Sequence, residues 1–428
     1  IKYNSGIFYS KAIKEKNRMR IIYLTFLWLC IIVFPLFSQS DTIDISFDDI
    51  KEFINTHSPI VKMINRTYDL KEAERKLDLK WTNPSIDYSQ EVIQNNVLND
   101  KEHFLVFSKQ FEMPWLHLTR RKSWQYFMAS ADYQKKDNLN KFVSDIKASY
   151  IEIKLIEQQI SQLEKFSQVI NNIAKIAQHQ MEEGAISGIN HQLVQMTRFN
   201  IDAKLIELAK SKHSIENLWK AKIGVDESDI MKLSTIIDFK SIAIKSSDYY
   251  QTLAPATFGI LQREKMKTAL QKQIRVQKQS WLPTLTLFGG YKKVEPNFNG
   301  YTFGLSLPVP ILNINRHQIK KSLVEMGLFE NELLLYRLEL KSKIDSRLKI
   351  INNYLKSLQK NSSRFKTIEQ VIENITFSYQ QRSVSLTDVL NYAQIYSEGI
   401  QNYYMQLTDY YRSIFELEAL VGEKLITF

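Results

Sequence analysis

Trp81-Thr82-Asn83-Pro84-Ser85-Ile86-Asp87-Tyr88-Ser89 and, two hundred residues on, Trp281-Leu282-Pro283-Thr284-Leu285-Thr286-Leu287-Phe288 are the stretches whose comparison decides the fold. In each, a polar helix-forming segment ends at a tryptophan, a proline follows, and alternation of apolar and polar residues takes over. Further markers repeat in the same order. Met113-Pro114-Trp115 through Arg120 matches Val309-Pro310-Ile311 through Arg316 at an offset of 196. Gly184-Ala185-Ile186-Ser187, with Asn190, matches Arg382-Ser383-Val384-Ser385, with Asp388, at 198, and Ile223-Gly224 matches Val421-Gly422 at the same spacing. Four markers in one order at nearly constant offset identify a tandem duplication.

Each copy has the same internal plan. A first helix (about 59–80 and about 256–280) runs into its proline, and two alternating segments follow. Phe303, Leu305, Leu307 and Val309 alternate with Thr302, Gly304, Ser306 and Pro308, and Leu285, Leu287 and Tyr291 with Thr284, Thr286 and Gly290. In the first copy Ile86, Tyr88 and Val92 alternate with Ser85, Asp87, Ser89 and Glu91, while His103, Leu105, Phe107 and Phe111 oppose Ser108, Gln110 and Glu112. Such alternation predicts strands with one apolar and one wet face, at about 84–94, 102–113, 284–293 and 301–310. The turn-rich segments 95–101 and 294–300 read as hairpin tips.

Long helices come next. From Trp115 to Glu183 there is neither Gly nor Pro for 69 residues, and from Ile311 onward there is no Pro for 118 residues. Val143, Ile146, Tyr150, Ile153, Ile156, Ile160 and Leu163 recur at steps of three and four, the stripe of a coiled-coil-like helix. Helices are expected at about 115–183, 189–223, 315–381 and 386–421, the longest reaching roughly 100 Å. The first repeat is read as 39–224, a linker as 225–254 and the second repeat as 255–428.

The N-terminal region reads as a leader, 1–38. Lys14, Lys16, Arg18 and Arg20 precede the apolar run Ile21 to Phe37, which ends in Ser38-Gln39-Ser40, and Met19 is a plausible true start. A single anchoring helix is the competing reading, because the run is at the short edge of a membrane span. Pro35 and the small residues after it favour cleavage. Cys30, the one cysteine, lies within the run and lacks the small residues that precede a lipidated cysteine. The chain after the leader therefore has no disulfide or thiolate site. Residues 1–38 also hold six Lys/Arg and one Glu, so +5 of the formal +11 leaves with them. The remainder is spread without a basic block of the kind that binds nucleic acid.

Hydrophobic content of 44% and charged content of 24% exclude a disordered chain or a multi-span helical membrane protein, and only 12 Gly and 9 Pro favour long helices. There is no G-x-S-x-G, no H-E-x-x-H, no phosphate loop and no cysteine nucleophile, so no catalytic residue, cofactor or enzyme activity is read. His179, His191 and His213 are separated by 12 and 22 residues, whereas ligands on one helix need spacings of three or four; no metal site follows. The tyrosine run Tyr403-Tyr404 and Tyr410-Tyr411 reads as helix–helix packing.

Four strands of about ten residues suit a tilted membrane crossing, yet four cannot close, and open edges are excluded from hydrocarbon. Pooling strands and helices from several copies resolves this. Soluble hairpins capping an envelope coiled coil are the competing reading. Lys109 and Lys293 are the charges on the apolar face, near strand ends where they can snorkel.

With the proline-led strands, the run Gly304-Leu305-Ser306-Leu307-Pro308-Val309-Pro310-Ile311-Leu312-Asn313 and the stretch Ser385-Leu386-Thr387-Asp388-Val389-Leu390, the chain resembles the TolC family of outer-membrane efflux proteins over essentially its whole length after the leader. Phe107-Ser108-Lys109-Gln110-Phe111-Glu112-Met113-Pro114 followed by Arg120-Arg121 is similar to the CzcC/CusC branch, which serves heavy-metal pumps. The resemblance implies a mainly α fold with a membrane β part: a homotrimer with a twelve-stranded barrel above a long periplasmic α-barrel. It also implies an outer-membrane exit duct working with a periplasmic adaptor and an inner-membrane RND pump; drug or type I protein secretion is the alternative cargo route. The family places Gly at both helix–helix turns. Gly184 keeps it, whereas Arg382 departs from it and puts the second turn's tight geometry in question. Acidic rings past these turns narrow the family's pore; Asp388 fits such a position, while Asn190 and Asn391 leave theirs uncharged. Asp388, Arg382, Tyr379, Asn391 and Asn190 are the pore or gate candidates, and Gly184, Pro114 and Pro310 the structural turn residues.

Overall fold

A computed structural model describes residues 43–94, 99–281, 284–295, 298–309, 311 and 314–428. The expected leader at 1–38, the hairpin-tip residues 95–98 and Pro310 lie outside the described residues.

The N-terminal part forms strand β1 (Ile43–Ile45), helix α1 (Ile50–His57) and helix α2 (Pro59–Asp78). Proline at the first position and the Ser58 hydroxyl, which accepts from the Val61 N–H, start α2 cleanly. The hairpin β2 (Ser85–Gln94) and β3 (Asn99–Glu112) leads through Met113-Pro114 into α3 (Pro114–Glu182), an unbroken helix of 69 residues. Helix α4 (Gly188–Ile223) returns half of that length, and Gly224, at φ +86°, ends it. A linker carries β4 (Met231–Leu233) and α5 (Ser247–Leu253). The second copy then repeats the plan with α6 (Phe258–Gln279), β5 (Thr284–Val294), β6 (Phe298–Ser306), α7 (Arg316–Gln380) and α8 (Leu386–Val421).

The four long strands form one antiparallel sheet in the order β2-β3-β5-β6. Beside it, α2, α3, α6 and α7 lie side by side in that order; towards the far end the order is α4, α3, α8, α7. The predicted stripe on α3 is one of two. Ile146, Tyr150, Ile153 and Leu163 are buried, but so are Ile151, Leu155 and Gln159, because α4 packs on one flank of α3 and α8 on the other.

At mid-length the linker crosses α3, α8 and α7. Between β4, which pairs in parallel with β1, and α5 its backbone forms neither ladder nor helix, and buried polar groups require partners. Helix side chains supply them. Lys154 Nζ donates to the Leu233 carbonyl at 3.0 Å, Gln158 to that of Ile237 at 3.0 Å, and Tyr410 to that of Lys240 at 3.0 Å. Tyr411 accepts from the Lys240 N–H at 3.0 Å and donates to the Asp238 carbonyl. Burial pushes the Tyr410 hydroxyl up to about 12 and Tyr411 higher still, so both remain protonated donors. Phe47 lies among Tyr150, Phe415 and Phe428, with ring centroids 5.7, 5.7 and 4.7 Å away.

The same belt joins α4 to α2 end to end. Ser58 Oγ donates to the last-turn carbonyl of Lys222 at 2.6 Å, and a Cβ on Gly224 would stand 2.5 Å from the His57 carbonyl oxygen. Only glycine fits this approach, on both conformational and steric grounds.

Tyr150 is fully buried; its hydroxyl donates to the Ile45 carbonyl at 3.1 Å and accepts from the Thr235 N–H at 3.2 Å. Tyr150→Phe keeps the ring but orphans both backbone groups, so a loss of about 1–3 kcal/mol is expected in denaturant unfolding.

Candidate functional site

The two helix–helix turns lie at the end of the rods opposite the sheet. The first closes with the Gly184 N–H on the Met181 carbonyl at 3.0 Å and the Ala185 N–H on that of Gln180 at 2.7 Å. The second does the same, with Arg382 on Tyr379 at 3.0 Å and Ser383 on Ser378 at 3.0 Å. This paired bonding needs a left-handed residue just past the helix end. Gly184 adopts it at φ +72° and Arg382 at φ +56°. Arg382 therefore occupies the same tight geometry as the glycine, held there against a conformational preference worth about 1–2 kcal/mol.

The return helices are capped alike. Ser187 Oγ accepts from the Asn190 N–H and Ser385 Oγ from the Asp388 N–H, each at 3.2 Å. Ser385 also donates to Asp388 Oδ2 at 2.6 Å, fixing an exposed carboxylate in the first turn of α8, where the helix dipole favours it. Tyr379 is only 4% exposed and donates to Gln180 Oε1 at 2.8 Å, tying the second turn to the first; burial raises its hydroxyl pKa. Asn190 and Asn391 line a groove of about 760 Å³ between α4 and α8, with Leu193, Met196, Leu386 and Leu390 supplying its apolar surface. Arg382 and Asp388 are exposed beside it. Gln180 and the Lys204 Nζ to Ser397 Oγ bond at 2.9 Å were not foreseen, since they join the repeats across nearly two hundred residues. The Ser385-x-x-Asp388 cap was readable locally.

At the other end, Pro114 opens α3 and has no N–H to satisfy. The sheet registers in rows. Tyr88, Leu105, Tyr291 and Tyr301 are successive partners across all four strands on one face. Ile86, Phe107, Gly289 and Phe303 form the next row, then Lys109, Leu287 and Leu305, then Phe111 and Leu285. On the other side of the tyrosines the row is polar: Gln90, His103, Lys293 and Asn299. Trp81, Trp115 and Trp281, all about half exposed, lie past the opposite end. At ~3.3 Å per residue, Leu285 to Tyr291 spans ~20 Å, close to the ~25 Å apolar band of a membrane barrel with its two aromatic girdles. Lys109 reaches towards the tryptophan end and donates to the Thr82 carbonyl. Phe298, paired with Val294, belongs to the opposite face from Tyr301.

His179, His191 and His213 each pair with a polar neighbour one turn on: Glu182 at 3.7 Å, Gln195 at 3.2 Å and Asn217 at 3.2 Å. Among the described residues no three His, Cys, Asp or Glu side chains gather in a metal-holding group, and no helix is long and apolar enough to cross a membrane.

This architecture is the fold of TolC-type outer-membrane channels. CusC, whose crystal structures concern folding and transmembrane channel formation, superposes with a TM-score of 0.73 at 12% identity, covering 91% of this chain and 96% of that one. The outer membrane protein VceC of Vibrio cholerae gives 0.72 at 12% over 88% and 96%, and the CmeC outer membrane channel of Campylobacter jejuni 0.69 at 14% over 89% and 86%. No family model matches the chain, and no curated protein does.

The equivalent turns yield a paired prediction. Arg382→Gly should stabilise the protein by about 0.5–1 kcal/mol, strain relief outweighing the entropy gained by the unfolded chain. Gly184→Ala, with no atom within 4 Å of the added Cβ, should cost about 1 kcal/mol through backbone strain alone. Thermal unfolding of the two variants reads both signs.

Proposed function

We propose that three copies of this chain form the outer-membrane exit duct of a tripartite export system. The observation that carries this reading is that one pair of protomer edges is left unpartnered in both layers. The sheet ends on β2 and β6, and the helices continuous with them, α2 and α7, end the helical array on the same two sides. Both helices carry exposed apolar residues at near-heptad spacing: Met63 and Leu70 on α2, and Val324, Leu328, Leu335 and Leu338 on α7. Further down, α4 continues the first edge with Ile189, Met196, Phe199 and Ile206 exposed. Pairing unlike edges head to tail closes a ring. Two copies would give an eight-stranded barrel filled by its own side chains, whereas three give twelve strands and a lumen.

In this assembly the sheet sits in outer-membrane lipid with its tyrosine and tryptophan rows at the two interfaces, and the helices extend into the periplasm. The turns then form the periplasmic mouth. Asp388 would supply one acidic ring, with Arg382, Asn391 and Asn190 around it and Tyr379 bracing the turns. The groove between α4 and α8 offers an apolar seat for a helical hairpin of a periplasmic adaptor, which links the duct to an inner-membrane RND pump. No catalytic step is involved, and solutes pass by diffusion. The resemblance of Phe107 to Pro114, with Arg120-Arg121, to the CzcC/CusC branch favours heavy-metal cations as cargo.

In membranes, the protein should fractionate with the outer membrane as a heat-modifiable trimer, and Leu70→Asp or Leu335→Asp should release monomers. A soluble monomeric wild type would refute the duct. Deletion should lower growth on at least one of zinc, cadmium, cobalt and copper; unchanged tolerance to all four would refute the metal cargo and leave the duct standing.

A further inference from the structure

We propose that a groove between the upper helices binds lipophilic organic cations, a ligand class distinct from metal ions; this rests on the duct reading. The groove encloses about 830 Å³, within the range of small-molecule sites. Its floor is one face of α3, presenting Trp124, Phe127 and Met128, between Leu77 of α2 and Leu270 of α6. The lining includes the carboxylates of Glu74, Asp78 and Glu325, the last from α7, against the single ammonium of Lys71. A groove lined by four successive helices of one array lies on the array's concave side. Closing the array turns that side towards the axis.

The aromatic floor is set in place. Trp124 Nε1–H donates to Asp78 Oδ2 at 2.6 Å, a charge-assisted bond that fixes the indole, and the Phe127 ring sits 5.6 Å away at 55°. Both rings line the groove, and an aromatic ring face attracts a cation through its negative quadrupole. Two of the facing carboxylates pair with exposed lysines, Glu74 with Lys71 at 2.8 Å and Glu325 with Lys321 at 3.7 Å, while Asp78 holds the indole and lies 3.9 Å from the half-buried Arg120. Such pairs contribute little and yield readily to a ligand cation. A metal ion gains nothing from aromatic walls, and a neutral solute gains nothing from the carboxylates. A bulky cation with delocalised charge gains from both.

Tetraphenylphosphonium, titrated calorimetrically into the purified full-length protein, should bind at least tenfold more tightly than the neutral triphenylphosphine oxide. Trp124→Ala, and separately the double variant Glu74→Gln with Glu325→Gln, should each weaken the cation at least tenfold. Trp124→Phe should keep most of the affinity and guards against a variant that fails to fold. No cation binding, equal affinity for the neutral probe, or unchanged affinity in all variants would overturn the proposal. Because one chain supplies the whole lining, a monomeric preparation still reports on the groove while refuting the duct, and a trimer that binds no cation does the reverse.

Discussion

A β-strand edge carries a row of N–H and C=O groups that water can satisfy and hydrocarbon cannot. The four-stranded sheet has one largely apolar face and two such edges. Everything else about the chain is compatible with that single unmet requirement. The strands are of membrane-crossing length, and the apolar rows line up across all four of them. The helices continuous with the edge strands carry unpartnered stripes on the same sides. A protein that kept the sheet in water would have no reason to match its tyrosine rows in register, or to leave Leu70 and Leu335 bare at opposite flanks.

Much of this was legible in the sequence because it was written twice. The offsets of 196 to 200 fixed which segments are equivalent, and alternation and breaker-free runs then assigned strands and helices. What resisted reading depended on contacts between distant segments. The α3 stripe was read as one face because periodicity reports a single neighbour, while Ile151, Leu155 and Gln159 are buried against a second one. The linker looked like a polar connector, and nothing local announces that Tyr150, Lys154, Gln158, Tyr410 and Tyr411 hold its backbone. At the tip, the Ser385–Asp388 cap was visible as a pattern. The Tyr379–Gln180 bond was not, since it joins the copies.

Arg382 shows what duplication permits. Once two turns share a geometry, one copy can hold it with a residue that disfavours it, because the long helix before the turn and the cap after it fix the path. A cation then stands at the tip where glycine would leave bare backbone, and the two copies stop being interchangeable at the end where an opening would have to be controlled.

The joint between α4 and α2 has a mechanical meaning. Helix α3 is one covalent rod from the sheet to the tip, whereas the column beside it is two shorter pieces abutted at Ser58 and Lys222 through a hydrogen bond and a glycine-width gap. A continuous helix resists bending along its whole length; an abutted pair bends at its seam. The array therefore sets a stiff rod beside a hinged one, and a displacement applied to the hinged column at the tip is absorbed at the belt before it reaches the strands. The sheet can keep its register while the far end moves.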